Sequence, residues 1–192
     1  MRALIGLGNP GEQYDKTRHN IGFACLDAVA TSLGEKTWKR LHDSLVIETN
    51  IEGEKCFLVK PQQFMNNSGK PIRTLADYYD LKPEQLCIVA DDVYVAPGSV
   101  RIRQSGGDGG HNGWKSIITA LGPDDFWRVR VGVGLYEQKA ELAAHLPALE
   151  DYVLQRMPAH DTKTVDVVID KLVPNLVEWL KYGTISTETF HL

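Results

Sequence analysis

The chain has 192 residues, 43% hydrophobic and 24% charged, with a net charge of −4 and a pI near 5.9. That length fits one domain with a real core. The acidic balance excludes a globally basic nucleic-acid coat, although a local patch can still hold phosphate. No apolar run approaches a membrane span. The start, Met1-Arg2-Ala3-Leu4-Ile5, reads as a strand and lacks a signal-peptide pattern, so a cytoplasmic address is expected. Cys25, Cys56 and Cys87 are widely spaced in apolar surroundings and form no C-x-x-C pair. They read as small buried thiols, not as metal ligands or disulfides.

Strand and helix signals alternate along the chain. Ala3–Leu7 predicts a strand. Ile21, Ala24, Cys25, Ala28 and Val29 keep the i, i+3, i+4 spacing of a helix, stopped by Gly34. Leu45–Thr49 and Cys56–Lys60 predict paired strands around a turn at Glu52-Gly53-Glu54. Asn67–Tyr79 reads as a helix with Pro71 in its first turn, and Leu86–Val89 and Ser99–Arg103 as strands. Trp114–Leu121 is a helix opening from a glycine loop. Val129, Val131 and Val133 alternate with Arg128, Arg130 and Gly132, which predicts a strand with one polar face. From about Glu137 the pattern is helical, with Val165, Ile169, Leu172, Leu176 and Trp179 as the apolar stripe and Pro174 expected to kink or split the last helix. The whole predicts a single α/β domain over residues 1–192, a twisted mixed β-sheet flanked by helices.

Gly6, Gly8 and Gly11 match G-x-G-x-x-G, the fingerprint of a dinucleotide cradle. Such a cradle needs its third glycine to open a helix whose amides meet the pyrophosphate. Here Glu12–Arg18 follows without an apolar period, and Pro10 removes an amide. The cradle reading fails on context. What remains is a strand ending in a turn that projects Asn9, and a loop delivering His19-Asn20 at a helix start.

Other polar groups stand where a packed core would not ask for them. Asn66 and Asn67 open a helix, where capping occupies one side chain. Asp91 and Asp92 end a buried strand, and alternation lets at most one of them serve an adjacent site. The glycine loop Gly106–Gly110 runs into His111-Asn112. In an open α/β sheet, ligand crevices form at such strand and helix ends. No G-x-S-x-G elbow, H-E-x-x-H or cysteine cluster supports a serine hydrolase or a metal site.

Taken in order, Gly6–Gly11, Thr17–Asn20, Phe64–Asn66, Ser68–Lys70, Asp91-Asp92 and Gly109–Gly113 resemble the motif set of bacterial peptidyl-tRNA hydrolases. The resemblance runs from about residue 3 to 134. It implies a phosphorylase/hydrolase-like fold and cleavage of the ester joining a peptide to the 3′-terminal ribose of tRNA, without metal or cofactor. Imidazole suits water activation because its ordinary pKa lies near 6.5. By the resemblance, His19 is the base and Asp91 the carboxylate that orients it and stabilises the imidazolium. Asn9, Asn66 and Asn112 would hold the peptide, the scissile region and the water, with Met65 beside them and Tyr14 near the terminal nucleotide. His111 is expected to support the site or to face tRNA. A monomer is expected, with peptidyl-tRNA as the partner and no membrane contact.

Between residues 101 and 130, Arg101, Arg103, Lys115, Arg128 and Arg130 outnumber Asp108, Asp124 and Asp125. Arg103, with Arg128 or Arg130, is expected to contact phosphates while Gly109 and its neighbouring amides help hold the acceptor end. The chain departs from the family pattern at Asp108 inside the glycine loop, at Tyr94, through Leu135–Glu150 and in the Thr184–Leu192 tail, which lacks Lys and Arg. Residues 135–160 are expected to form a variable lid. The competing expectation is an RNA-binding relative that keeps the fold without hydrolysis. The five polar residues His19, Asp91, Asn9, Asn66 and Asn112 argue for the enzyme.

Overall fold

The computed structural model describes residues 1–122, 125–134, 148–187 and 190–191. Its strands are β1 (Arg2–Gly6), β2 (Lys39–Leu41), β3 (Ser44–Ile51), β4 (Glu54–Pro61), β5 (Leu86–Asp92), β6 (Ser99–Arg103), β7 (Trp127–Gly132) and β8 (Phe190–His191). Among the described residues they form one sheet in the order β2-β3-β4-β1-β5-β7-β6-β8. The central ladder is parallel, with β1 between β4 and β5 and β7 beyond β5. The outer pairs are antiparallel. Glu52 and Gly53 turn the β3–β4 hairpin with φ of 53° and 89°, the left-handed pair that matches strand twist.

The helices are α1 (Ile21–Ser32), α2 (Gly69–Tyr79), α3 (Asn112–Leu121), α4 (Leu149–Leu154) and α5 (Ala159–Tyr182). They cover both faces of the sheet. Leu4 packs with α1 and α5 residues such as Leu26 and Leu176, while Ala3 and Ile5 pack with α2 and α3 residues such as Leu75 and Ile117. A strand covered on both sides loses its polar alternation, which is why β5 is buried along its whole length.

Two expectations are revised. Pro174 lies inside a continuous helix from Ala159 to Tyr182. Proline leaves the Asp170 carbonyl without its helical donor, but both residues lie on the exposed side, where water replaces it. The helix after Phe64 starts at Gly69, because Met65–Asn67 form a separate 3-10 turn. Neither Asn67 nor Ser68 caps it; Ser116 Oγ of α3 accepts the Gly69 N–H at 3.0 Å. The helical pattern expected from Glu137 and the front of the lid segment fall on 135–147, outside the described residues. No described helix is long and apolar enough to cross a membrane.

Candidate active site

The glycines of the opening loop shape backbone approach. A Cβ on Gly6 would lie 2.2 Å from the Gly22 carbonyl oxygen, and one on Gly22 would lie 2.4 Å from Leu7 N and from the Val89 oxygen. Only glycine at both positions lets the start of α1 press against the ends of β1 and β5. That contact brings His19-Asn20 beside Asn9. Asn20 Oδ1 accepts the Asn9 backbone N–H at 2.8 Å, and its Nδ2 donates to the Asn9 carbonyl at 3.0 Å. The Asn9 side chain in turn accepts the Met65 N–H at 2.8 Å. Because its oxygen is engaged, Asn9 has its amide N–H groups left to offer.

His19 and Asp91 meet across this junction. His19 Nδ1 lies 2.9 and 3.1 Å from the two Asp91 carboxylate oxygens. His111 enters from the α3 end, with Nε2 3.1 Å from Asp91 Oδ1 and its ring centroid 4.7 Å from that of His19. His111 Nδ1 accepts the N–H groups of Gly113 at 3.0 Å and Trp114 at 3.4 Å, so it caps α3. An accepting Nδ1 leaves the proton on Nε2, which donates to Asp91. Asp91 is therefore an acceptor for two imidazoles.

The electrostatics follow from this. Burial alone would raise the Asp91 pKa, but the charge and hydrogen bonds of His19 and His111 outweigh it and hold the carboxyl well below its usual range. For His19, burial opposes the imidazolium, yet the Asp91 charge and hydrogen bond prevail, and the pKa lies above the ordinary 6.5. With Nδ1–H directed to Asp91, His19 keeps a lone pair on Nε2.

These residues border a cleft of about 570 Å³. Asn9, Tyr14, His19, Met65, Asn66, Asp91, Gly109, His111, Asn112 and Arg130 all line it. The side-chain amides of Asn66 and Asn112 are exposed and make no hydrogen bond to the described residues. On the far side stand Leu149, Glu150, Val153 and Leu154 of α4, which lie within the segment expected as a lid, though none of them is named from the sequence as a site residue. Tyr14 meets Phe64 edge to face, with centroids 6.3 Å apart. Arg18 secures α4: its guanidinium lies 3.9 Å over the Tyr152 ring and donates to the Tyr152 carbonyl and to Asp161.

Several expectations change. Arg128 is 1% exposed, stacked 3.8 Å over Phe126 and bonded to the Gln104 and Phe126 carbonyls, so it offers no face to a phosphate. Its strand lies inside the sheet and is covered on that side, so the alternation there marks an internal brace. Arg130 lines the cleft but is paired with Asp92 at 3.0 Å and with the Gly107 carbonyl at 2.6 Å. Both aspartates reach the cleft, Asp92 at its rim, where its carboxylate meets Arg130 and the Tyr94 N–H. His111 takes the first of the two places expected for it, supporting Asp91 with Nε2 at 3.1 Å. Asp108 Oδ1 accepts the Gly110 N–H at 2.7 Å and so ties the glycine loop. Arg103 is exposed outside the cleft and donates to the Thr187 carbonyl of the C-terminal segment.

His19, Asp91 and His111 present ligand-type atoms within 4.8 Å of one another. They do not suit a cation. To ligate through Nε2, His111 would need its proton on Nδ1, against the N–H groups of Gly113 and Trp114.

Among the described lining residues there is no Ser, Thr, Cys or Lys to act as a nucleophile. An α/β sheet carrying a carboxylate-held imidazole at its strand ends, facing uncharged amides, is the arrangement of a hydrolase built for acid–base chemistry. The model of the family described as peptidyl-tRNA hydrolase matches residues 3–191, and the chain belongs to that family. A peptidyl-tRNA hydrolase of Desulfitobacterium hafniense is 41% identical over 183 residues, covering 95% of each chain. One of Halalkalibacterium halodurans is 49% identical over 133 residues, covering 69% of this chain and 72% of that one. The crystal structure of peptidyl-tRNA hydrolase from Acinetobacter baumannii matches with a TM-score of 0.83 at 32% identity, covering 95% of this chain and 89% of that one.

Proposed function

We propose that the chain hydrolyses the ester between a peptide and the 3′-terminal ribose of tRNA, releasing both, with His19 as the general base. The observation that carries this reading is the Nδ1 contact of His19 with both Asp91 oxygens, at 2.9 and 3.1 Å, beside a cleft lined by three asparagine side chains. Water bound at His19 Nε2 loses a proton to the ring as its oxygen attacks the ester carbonyl. Asp91 stabilises the imidazolium that forms. The Asn9 amide, free to donate, and those of Asn66 and Asn112 hold the carbonyl oxygen and the water as negative charge develops. His19 then returns its proton to the departing ribose 3′ oxygen.

The walls suggest how the two halves of the substrate lie. Leu149, Val153 and Leu154 offer the peptide an apolar side, and Tyr14 with Phe64 offers rings to the terminal nucleoside. Incubation of purified protein with peptidyl-tRNA and with unblocked aminoacyl-tRNA, without added metal, tests the reading. Free tRNA should appear from the first substrate. Tight tRNA binding without release would leave the non-hydrolytic RNA-binding alternative standing.

A further inference from the structure

Beside the catalytic cleft runs a second depression of about 610 Å³ between α2 and α3. Asn66 and Asn112 border both hollows, so the two are continuous at the asparagines. The helices meet closely at Gly69, where a Cβ would lie 2.2 Å from the Ser116 carbonyl oxygen. The i, i+3, i+4 spacing puts Lys70, Arg73 and Thr74 on one face of α2, and i, i+4 puts Lys115 and Thr119 on one face of α3. All five line the groove.

Among the described residues the lining holds Lys70, Arg73 and Lys115 and no carboxylate, in a chain whose net charge is −4. Lys70 and Lys115 are exposed and form no ion pair among the described residues. Arg73 Nε lies 2.9 Å from Asp77, with both side chains more than half exposed, a pair that holds its cation weakly. The cations expected to meet phosphate are placed otherwise: Arg128 is enclosed, Arg130 is paired with Asp92, and Arg103 binds the Thr187 carbonyl. The Thr74 and Thr119 hydroxyls donate to the Lys70 and Lys115 carbonyls, while Ser116, whose oxygen accepts the Gly69 N–H, keeps its hydrogen to donate; among the described lining residues Ala120 alone is apolar. Bases would find no ring among the described lining residues to stack on. Lysine ammoniums suit phosphates as point charges without reading sequence.

We propose that the α2/α3 groove binds the ribose-phosphate backbone of the RNA next to its scissile end, a reading that rests on the chain acting on peptidyl-tRNA. The test combines Lys70→Ala with Lys115→Ala. Affinity for deacylated tRNA is measured for the wild-type and variant proteins across roughly 50–200 mM salt. Loss of two phosphate contacts should make the slope of log affinity against log salt shallower by about 1.4–1.8, with affinity about tenfold lower at the low-salt end. The KM for peptidyl-tRNA should rise in step. An unchanged slope overturns the proposal. So does an equal rise in KM on a peptidyl-adenosine ester, which has no RNA backbone and would assign the groove to the peptide. Wild-type protein that releases no tRNA sinks the enzymatic reading, whichever way the slope goes, so the two failures are separable.

Discussion

Replacing Asp91 with asparagine changes few atoms but forces a conflict that the geometry makes explicit. Asp91 Oδ1 faces both His19 Nδ1 at 2.9 Å and His111 Nε2 at 3.1 Å, while Oδ2 faces His19 Nδ1 at 3.1 Å. His111 is held as a donor by its cap on α3, so the asparagine must keep its oxygen at the Oδ1 position. The amide nitrogen then falls at the Oδ2 position, a donor against the His19 Nδ1–H. The oxygen at Oδ1 can still accept the His19 Nδ1–H at 2.9 Å, but the amide donor opposite favours the tautomer with the proton on Nε2, and an imidazole in that state cannot accept a proton from water. The imidazolium also loses its counter-charge. In a serine-protease triad the same substitution lowers turnover by about 10⁴, and we expect kcat to fall by about 10³–10⁴ here, or about 4–5.5 kcal/mol. KM for peptidyl-tRNA should move little, because the asparagine side chains proposed to hold substrate are untouched. Steady-state release of tRNA across pH measures both. The base must be neutral to act, so wild-type activity should rise with pH through an inflection above the ordinary imidazole value, in keeping with the raised pKa of His19. Residual activity in the variant should titrate lower. A variant within tenfold of wild type, or an Asp92→Asn change that costs more, would refute the assignment.

His19→Ala should abolish turnover yet leave tRNA affinity near wild type; measurable hydrolysis with an unaltered pH profile would remove it as the base. His111→Asn keeps an N-cap acceptor for α3 but ends the contact with Asp91, so the thermal midpoint should stay close to wild type while kcat falls about tenfold and the pH inflection shifts. A large loss of stability with an unmoved inflection would reduce His111 to a capping residue. Arg128→Met should lower stability by about 2–3 kcal/mol in urea unfolding, because the Gln104 and Phe126 carbonyls lose their donor. Its salt dependence of tRNA binding should match wild type, and a shallower slope would place that guanidinium on the RNA after all.

Much of this arrangement is legible in the residues alone. The Ala3–Leu7 and Leu86–Val89 runs betray strands covered on both faces, and parallel neighbours deliver their carboxyl ends to the same edge, which is where Asn9 and Asp91 lie. The arginines are harder. Arg128 and Arg130 alternate with valines as they would on a wetted face, and periodicity cannot tell water from a covering layer of Trp114 and Phe126. Asp91 and Asp92 are only half legible, because the cleft lies across the end of the strand and can border both of its faces, so alternation excludes neither residue. The wall supplied by Leu149, Val153 and Leu154 escapes the sequence for a different reason. Long-range contacts, from Arg18 to Tyr152 and Asp161, from Tyr152 to the Val133 carbonyl and from Met157 to the Lys16 carbonyl, put that short helix beside His19, and no local pattern encodes them.

The Arg18 contact also sets what a bound chain can disturb. Arg18 and His19 are consecutive residues, and the guanidinium of the first grips the helix forming one bank of the cleft. A bulky occupant that pushes Leu149–Leu154 outward therefore pulls on the backbone one peptide unit away from the imidazole. The distant bank and the imidazole are thus anchored through neighbouring residues, so a change at Arg18 acts on both sides of the cleft.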